Sequence, residues 1–398
     1  MTKKNSLLSL FICIFLIPAF SQNLTSSRIA CGPWIQAVGE TEFTVVWSTT
    51  VKSIAWVEVA PDDGTHFYGE TRPKFYESIH GRRPITTLHT IKIEGLQPGI
   101  SYRYRVYQQA LLEDEGNKRV IFGEGYGDDI LKNPVYKVTT LDSQAKSCRF
   151  SMLNDIHGND SLFSKLTENS LERDLDFMLF NGDMLTQIES PQQIFDGYMK
   201  SAEKNFTPFL PLFTVRGNHE HRGSASWEFM NYFPSSTNKS YYTFRHGPAF
   251  FIALDCGEDK PDNDIRYYGL SLTDQLREEQ ALWLEEVVSS DEFQQAPVKI
   301  VILHMPPGTE KDWHGMREIS RLFVPILNKA SIDLMLSGHL HRHFFIQTEE
   351  RGNNFPILIN SNIQRLDVFI DENEIKLTTV DQTGQIQNNY TLKTKFTH

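Results

Sequence analysis

The sequence predicts two regions of different class, an N-terminal all-β sandwich followed by an α/β layered domain. Three observations predict this. From about residue 28 to residue 140, apolar residues alternate with period two between turn signals. A polar stretch, Thr139 to Ser147, then interrupts the pattern. Beyond it, apolar runs of strand length alternate with segments of helical period, as in a layered α/β domain. The 398 residues are enough for two cores.

The first 21 residues predict a signal peptide. Lys3 and Lys4 give a basic start, Leu7 to Phe20 is an apolar run short for a membrane span, and Ala19 to Ser21 offers small residues for cleavage. An uncleaved anchor is the rival reading. Cleavage would leave an exported chain, periplasmic or extracellular, and removing two lysines takes the formal net charge from -11 to -13. That acidic excess argues against nucleic acid or an anionic membrane as partner. It leaves room for a small phosphorylated molecule, because bound metal ions set the local field of a site. Three cysteines remain, Cys31, Cys148 and Cys256, with no CxxC spacing. Buried thiols or one disulfide are expected, and the sequence does not choose a pair.

Residues 22–142 form the expected β region. Phe43, Val45 and Trp47 alternate in "EFTVVWST". Ile91 and Ile93 alternate before the Pro98-Gly99 turn, and Tyr102, Tyr104 and Val106 after it. Short strands between turns suggest a sandwich. The charged, glycine-containing stretch from Leu111 to Lys132 reads as a long loop.

Residues 143–398 carry the chemistry. Five apolar runs end in metal-capable side chains: Asp155 and His157 after "SML", Asp183 after "MLFNG", Asn218 and His219 after "LFTVRG", His304 after "KIVIL", and His339 and His341 after "LMLSG". Ligands of α/β sheets bind beyond the carboxyl ends of strands, so five strand ends could share one crevice. Singly, each has a structural reading as a capping aspartate, a turn pair or a core histidine. Gly338-His339-Leu340-His341 is the strongest, since an i, i+2 pair on one extended face suits a metal. The segments between the runs read as helices, and the tail from Phe355 to Gln387 reads as strands completing an outer sheet.

The ordered set D-x-H, G-D, G-N-H-E, H, G-H-x-H resembles the calcineurin-like metallophosphoesterase superfamily over roughly residues 148 to 375. "GLQPGISYRYRV" is similar to the fibronectin-type-III-like module that precedes the catalytic domain of purple acid phosphatases. The resemblance implies a metallophosphoesterase domain with a β-sandwich core flanked by helices, two metal ions, and a role for each residue. Asp155, His157 and His341 would hold the first ion, Asp183 would bridge, and Asn218, His304 and His339 would hold the second. His219 would touch the substrate phosphate and assist the leaving group. His314 lies where the purple enzymes place a phosphate-contacting histidine. The chain departs from those enzymes at two points. They resemble D-x-G at the first motif and carry a tyrosine three residues after the bridging aspartate, whereas here stand Asp155-Ile156-His157 and, three residues past Asp183, Thr186. Without the tyrosine, a colourless enzyme with divalent ions is expected.

The donors are nitrogen and oxygen without thiolate, which suits Mn, Zn or Fe over Ca. A carboxylate such as Asp183 can span ions about 3.5–4 Å apart, and such a pair supplies a hydroxide for in-line attack on phosphorus. The leading expectation is hydrolysis of phosphate monoesters, with Asp183 and His219 catalytic and Asn218, His219 and His314 contacting substrate. A phosphodiesterase acting on cyclic nucleotides or lipid headgroups shares the ligand set. A non-catalytic binding protein is the reading of another class. Trp313 is expected at the pocket mouth, Arg216 as structural, His221, Arg222 and Arg342 as surface, and His343 as rim or surface. The sequence leaves the oligomeric state open.

Overall fold

The computed structural model describes residues 26–127 and 134–395. The expected signal peptide, with Cys13, lies outside them, as does the end of the charged 111–132 segment. No helix among the described residues is long and apolar enough to cross a membrane.

Seven strands between Ile29 and Thr139 form one hydrogen-bonded sheet. Its spine is Glu42–Pro61, a single 20-residue strand whose Phe43, Val45, Trp47, Val57 and Val59 enter one core. Between Ser48 and Ser53 its register breaks. Its partners change there from Ile29–Gln36 and Thr86–Glu94 to Ser101–Asp114 and Lys74–Phe75. The expectation of short strands fails at this point, because Thr49, Thr50 and Val51 are β-branched and keep the polar stretch extended.

The loop expected from Leu111 is also corrected. The strand Ser101–Asp114 runs on and returns as Val120–Gly127. Asp114 caps the turn by accepting from the Gly116 amide at 2.8 Å, with Gly116 at φ +63. Charge and glycine here mark an exposed hairpin rather than an insertion.

From Ser147 the chain builds two six-stranded mixed sheets. In the first, Leu212–Val215, Phe177–Asn181 and Ser147–Leu153 are parallel neighbours. The C-terminal strands Gln364–Asp371, Glu374–Asp381 and Ile386–Lys393 extend that sheet antiparallel, as the tail predicted. In the second, Ala249–Leu254, Val298–Leu303, Leu334–Ser337 and Ile357–Ile359 are parallel, with an antiparallel strand at each edge. The sheets meet face to face through aromatic rings. Phe150 stacks on Phe177 at 4.9 Å between centroids, and Phe177 meets Phe251 edge-on at 5.7 Å. Helices cover both outer faces. Asp160–Thr167 and the helical residues 191–205 lie on one, and Thr273–Ser289 and His314–Leu322 on the other. The result is an α/β domain with a sandwich core flanked by helices.

The N-terminal sheet is not a detached module. Trp34 is fully buried, its ring centroid 6.4 Å from those of Phe195 and Phe233, and its indole N–H donates to the Tyr232 carbonyl at 2.8 Å. Tyr104 donates to the Pro208 carbonyl at 2.9 Å. The polar stretch 139–147 is pinned as well, since the Gly247 amide donates to the Asp142 carbonyl at 2.8 Å and the Ser143 amide to Glu40 at 2.6 Å. Cys31, Cys148 and Cys256 are buried free thiols.

Deleting the Trp34 ring leaves a large cavity and an unmet carbonyl at this junction. Trp34→Ala is expected to lower unfolding stability by about 3–5 kcal/mol, read from the urea midpoint of the whole chain. A loss below about 1 kcal/mol would mean that the two regions do not share a core.

Candidate metal centre

The five strands that precede the metal-capable residues sit side by side, three in the first sheet and two in the second. Each strand stops and the chain turns at once. Asp155, His157, Asp183, His339 and His341 all adopt left-handed backbone, with φ of +54, +50, +55, +70 and +54. Such a conformation costs a non-glycine residue about 1–3 kcal/mol and persists only where neighbours enforce it. The enforcing bonds run between strand ends. The Asp155 amide donates to the Gly182 carbonyl at 3.0 Å, the His157 amide to the Asp183 carbonyl at 3.0 Å, and the Gly338 amide to the His304 carbonyl at 2.8 Å. Gly338 must be glycine, since a Cβ there would lie 2.8 Å from the Asp155 carboxylate and from the Asn154 amide. The expected extended face at His339 and His341 is thereby corrected. The strand ends at Ser337, and the two imidazoles leave a turn in different directions.

Three overlapping groups of donors result: Asp155, His157 and His341; His157, Asp183 and His219; Asp183, His304 and His339. Within each, one donor atom per residue lies within 4.8 Å of the others. His341 Nε2 stands 3.3 Å from Asp155 Oδ1 and 3.1 Å from His157 Nε2. His304 Nε2 stands 3.1 Å from Asp183 Oδ2 and 3.7 Å from Asp155 Oδ1. Asn218 joins the third group through Oδ1, 3.0 Å from His339 Nδ1. The seven predicted ligands thus converge, and Asp183 belongs to two of the groups.

The donor set fits metal ions on its own chemistry. Asp155 Oδ1, His304 Nε2 and His339 Nε2 are buried and without a hydrogen-bond partner, and all three face the centre of the cluster. Buried polar atoms are ordinarily paired, so three convergent orphans call for a cation. The other ring nitrogen is already committed in each imidazole. His304 Nδ1 donates to the Asn181 carbonyl at 2.6 Å and His339 Nδ1 to Asn218, which leaves both Nε2 lone pairs inward.

Electrostatics agrees. Burial pushes the Asp183 carboxyl up, but the His304 and His219 imidazoles outweigh it and hold the group well below the usual carboxylate range. Burial pushes His304 down, and Asp183 with Asp155 reverses this and raises it to about 10. The Asp155 carboxylate, 3.3 Å away, raises His341. Burial, with the His304 charge, lowers His339 to about 4, so it is neutral and ready to ligate. A proton on His304 holds the place a metal charge would take.

Glu220 is the residue that sequence reading missed. Its carboxylate is buried and accepts from three amides, Asp183 at 2.7 Å, Met184 at 2.8 Å and Gly217 at 2.9 Å. It therefore fixes the turns that carry Asp183 and Asn218. Burial and the Asp183 charge push it up to about 7, while the three amides pull the other way, and a nearby cation would add to that pull. Asn154 plays a similar part, donating to Asp155 Oδ2 at 2.7 Å and tied to Asn360. The signal was present in the fourth letter of G-N-H-E, but a carboxylate that binds only backbone leaves no pattern of its own.

The remaining residues divide. His219 reaches the cluster, with Nδ1 donating to the Thr186 carbonyl at 2.6 Å and Nε2 accepting from Arg222 at 2.9 Å. Arg222 is not loose surface, because Glu258 and Asp259 hold it at 2.8 and 3.1 Å. His221 is likewise fixed, 2.8 Å from Asp255, and Arg216 is structural, 3.5 Å from the same carboxylate. His314 is not brought to the centre. It starts a helix and pairs with Asp274 at 2.8 Å. Its neighbour Trp313 does reach inward, meeting the His339 ring at 5.0 Å. His343 stacks on Tyr390 and bonds its hydroxyl at 2.9 Å, and Arg342 is exposed.

Comparison with known proteins agrees with this geometry. Residues 149–343 match the calcineurin-like phosphoesterase family and form a domain of that kind. The serine/threonine-protein phosphatase CPPED1 of Rattus norvegicus is 26% identical over 140 residues, 34% of this chain and 42% of that protein. The protein of the same name in Danio rerio is 25% identical over 185 residues, 44% of this chain and 57% of that protein. The chain thus spans about half the length of the curated relatives it matches. Purple acid phosphatase PPD1 from yellow lupin (Lupinus luteus) seeds superposes with a TM-score of 0.63, covering 91% of this chain and 74% of the plant chain at 15% identity. That likeness is one of fold, and it extends over both regions.

Two outcomes follow. Because ligation needs neutral imidazoles and His304 and His341 are raised, metal loading at pH 7 is expected to release protons. Apparent affinity should then climb as pH rises, by about tenfold per unit for each proton released. Calorimetry in two buffers of different ionisation enthalpy measures this, and affinity independent of pH would contradict it. Glu220→Gln turns an amide N–H toward backbone donors, and is expected to weaken metal binding by about 10–100-fold in a metal titration.

Proposed function

We propose that this chain is an exported, dinuclear, metal-dependent phosphomonoesterase. The observation that carries the reading is the convergence of seven nitrogen and oxygen donors within overlapping groups, linked through His157 and Asp183. Two divalent ions, Mn, Zn or Fe, held by Asp155, His157 and His341 on one side and Asn218, His304 and His339 on the other, would supply an activated water and neutralise phosphoryl oxygens. Asp183 would bridge them.

The chain's own residues do the rest. Asn218 is a neutral donor, so the site keeps positive charge for an anionic substrate. Thr186 holds the His219 ring through Nδ1, which aims Nε2 at the space beside Asp183, 3.9 Å away. From there the imidazole could carry a proton to a departing alkoxide once Nε2 is protonated in place of its bond from Arg222. The Arg222 guanidinium stands beside Nε2, held there by Glu258 and Asp259. Thr186 occupies the position of the tyrosine expected in purple enzymes and turns its hydroxyl to His157, 3.5 Å away. A colourless divalent enzyme fits that substitution. The two curated relatives bear the name serine/threonine-protein phosphatase, and phosphoserine and phosphothreonine are monoesters.

The rest of the reading concerns organisation. Residues 1–21 are taken as a signal peptide, 22–142 as a fibronectin-III-like sandwich, and 143–398 as the catalytic domain. The basic start and short apolar run support the first, and the long antiparallel strands with the lupin fold likeness support the second. A small phosphorylated substrate is the expected partner, with neither nucleic acid nor a membrane.

The chain from residue 22, loaded with Mn or Zn, is expected to turn over a nitrophenyl phosphate monoester at least about a hundredfold faster than the bis-ester. Asp183→Asn should lose at least about 10³-fold of that turnover. Preference for the bis-ester would replace the monoesterase reading with a phosphodiesterase. An absorption band of tyrosinate charge transfer would contradict the divalent site.

A further inference from the structure

The largest cavity described lies beside the metal centre and is not used by the chemistry above. It encloses about 1040 Å³, and Arg222, which touches His219, lines it. Gln187 lines both this cavity and the smaller one that holds His157, so the two are neighbours beside the metal centre. A phosphoryl group at the metals would therefore project its ester substituent along Arg222 into this space.

The lining is unusual for solvent-facing protein. Trp227, Tyr268, Leu270 and Leu272 are 76, 86, 87 and 67% exposed and stand together on its walls. Single exposed apolar residues need no explanation, but a contiguous set at a cavity mouth marks a binding surface. The segment that carries three of them is held in place. Asp262 accepts from the Ser271 hydroxyl at 2.6 Å, the Thr273 amide at 2.9 Å and the Asp274 amide at 3.1 Å. The Tyr267 hydroxyl donates to Glu258 at 3.0 Å. Tyr268 itself is turned into left-handed backbone, φ +52, a conformation a bulky residue keeps only under constraint. The apolar side chains are thus presented on a fixed frame.

The charges in the lining are already spent on one another. Arg216 pairs with Asp255, Arg222 with Glu258 and Asp259, Lys260 with Asp259, and Arg266 with Asp264. Each cation of the lining thus has a carboxylate beside it, so the cavity offers no surplus positive charge to a second anionic group. Most of its affinity must come from apolar contact.

On the reading of the site as a monoesterase, we propose that this cavity is the substituent pocket, and that it selects monoesters whose alcohol carries a bulky, uncharged aromatic or branched apolar group. Trp227, Tyr268, Leu270 and Leu272 are its specificity-determining residues. A methyl or single-ring substituent leaves most of the volume and the outer apolar wall uncovered. A two-ring substituent reaches both.

Binding of non-hydrolysable phosphonates to the metal-loaded chain tests this without relying on turnover. Biphenyl-4-phosphonate is expected to bind at least about tenfold more tightly than phenylphosphonate, the gain of burying one further ring. Trp227→Ala and Tyr268→Ala should each reduce that ratio below about threefold. Equal affinities in the wild type, or a ratio that survives both substitutions, would overturn the assignment. So would sedimentation of the wild type as a dimer that Trp227→Ala returns to monomer, since a second copy would then cover the wall. Turnover of phenyl phosphate on the same preparations separates the two claims. A retained binding ratio with no turnover sinks the enzymatic reading and leaves the pocket, whereas turnover with no ratio does the reverse.

Discussion

Two buried carboxylates govern this structure. Asp155 and Asp183 are buried at the ends of neighbouring parallel strands, 2 and 1% exposed. An ionised carboxylate in such a place is costly unless charge and hydrogen bonds compensate it. Backbone supplies part of the answer, with the His339 amide on Asp155 at 2.8 Å and the His219 amide on Asp183 at 2.9 Å. The imidazole of His304 supplies another part as a protonated partner, and His341 stands 3.3 Å from Asp155. What is left over is a set of inward lone pairs, and these have the composition of a metal site.

Meeting that demand shapes everything around it. The donors must leave five strand ends within one turn each, and at three of those ends the backbone turns left-handed and a neighbouring position is small. Gly338 is one such position, and Gly182, at φ +78 and packed against Gly217 and His304, is another. Strain of this kind holds only on a stiff base. The stacked and edge-on phenylalanines between the sheets provide it, since close-packed aromatic cores do not yield by fractions of an ångström. Further out, the requirement reverses. The cavity beside His219 neutralises its charges in pairs and shows apolar surface, which in the proposed reading leaves charge recognition to the metals and shape recognition to the wall.

The sequence made the metal ligands legible because each follows a strand-length apolar run, and the strand, being buried, announces where it stops. The helices on the outer faces were legible from their period, although Asn169 at φ +55 and Pro325 broke two of them into shorter pieces. Other features left weaker traces. Glu220 binds only backbone amides, and nothing in its neighbourhood codes for them. His314 resembled a substrate contact by position, but a helix start turned its ring to Asp274. The His339 and His341 pair was read as one extended face because spacing alone does not report φ. The hairpin after Leu111 looked like a loop because an edge hairpin in water needs no apolar alternation. The exposed wall of Tyr268, Leu270 and Leu272 was invisible for a related reason: only the fold reveals that these apolar residues stand exposed among the described residues.

In the reading proposed above, the buried carboxylates would organise two ions and not one. Anomalous diffraction from crystals of the Mn-loaded or Zn-loaded chain, collected at the metal edge, measures this directly. Two peaks about 3.5–4 Å apart are expected, with Asp183 between them, one peak against Asp155, His157 and His341 and the other against Asn218, His304 and His339. A single peak at full loading, or two peaks not bridged by Asp183, would contradict the account.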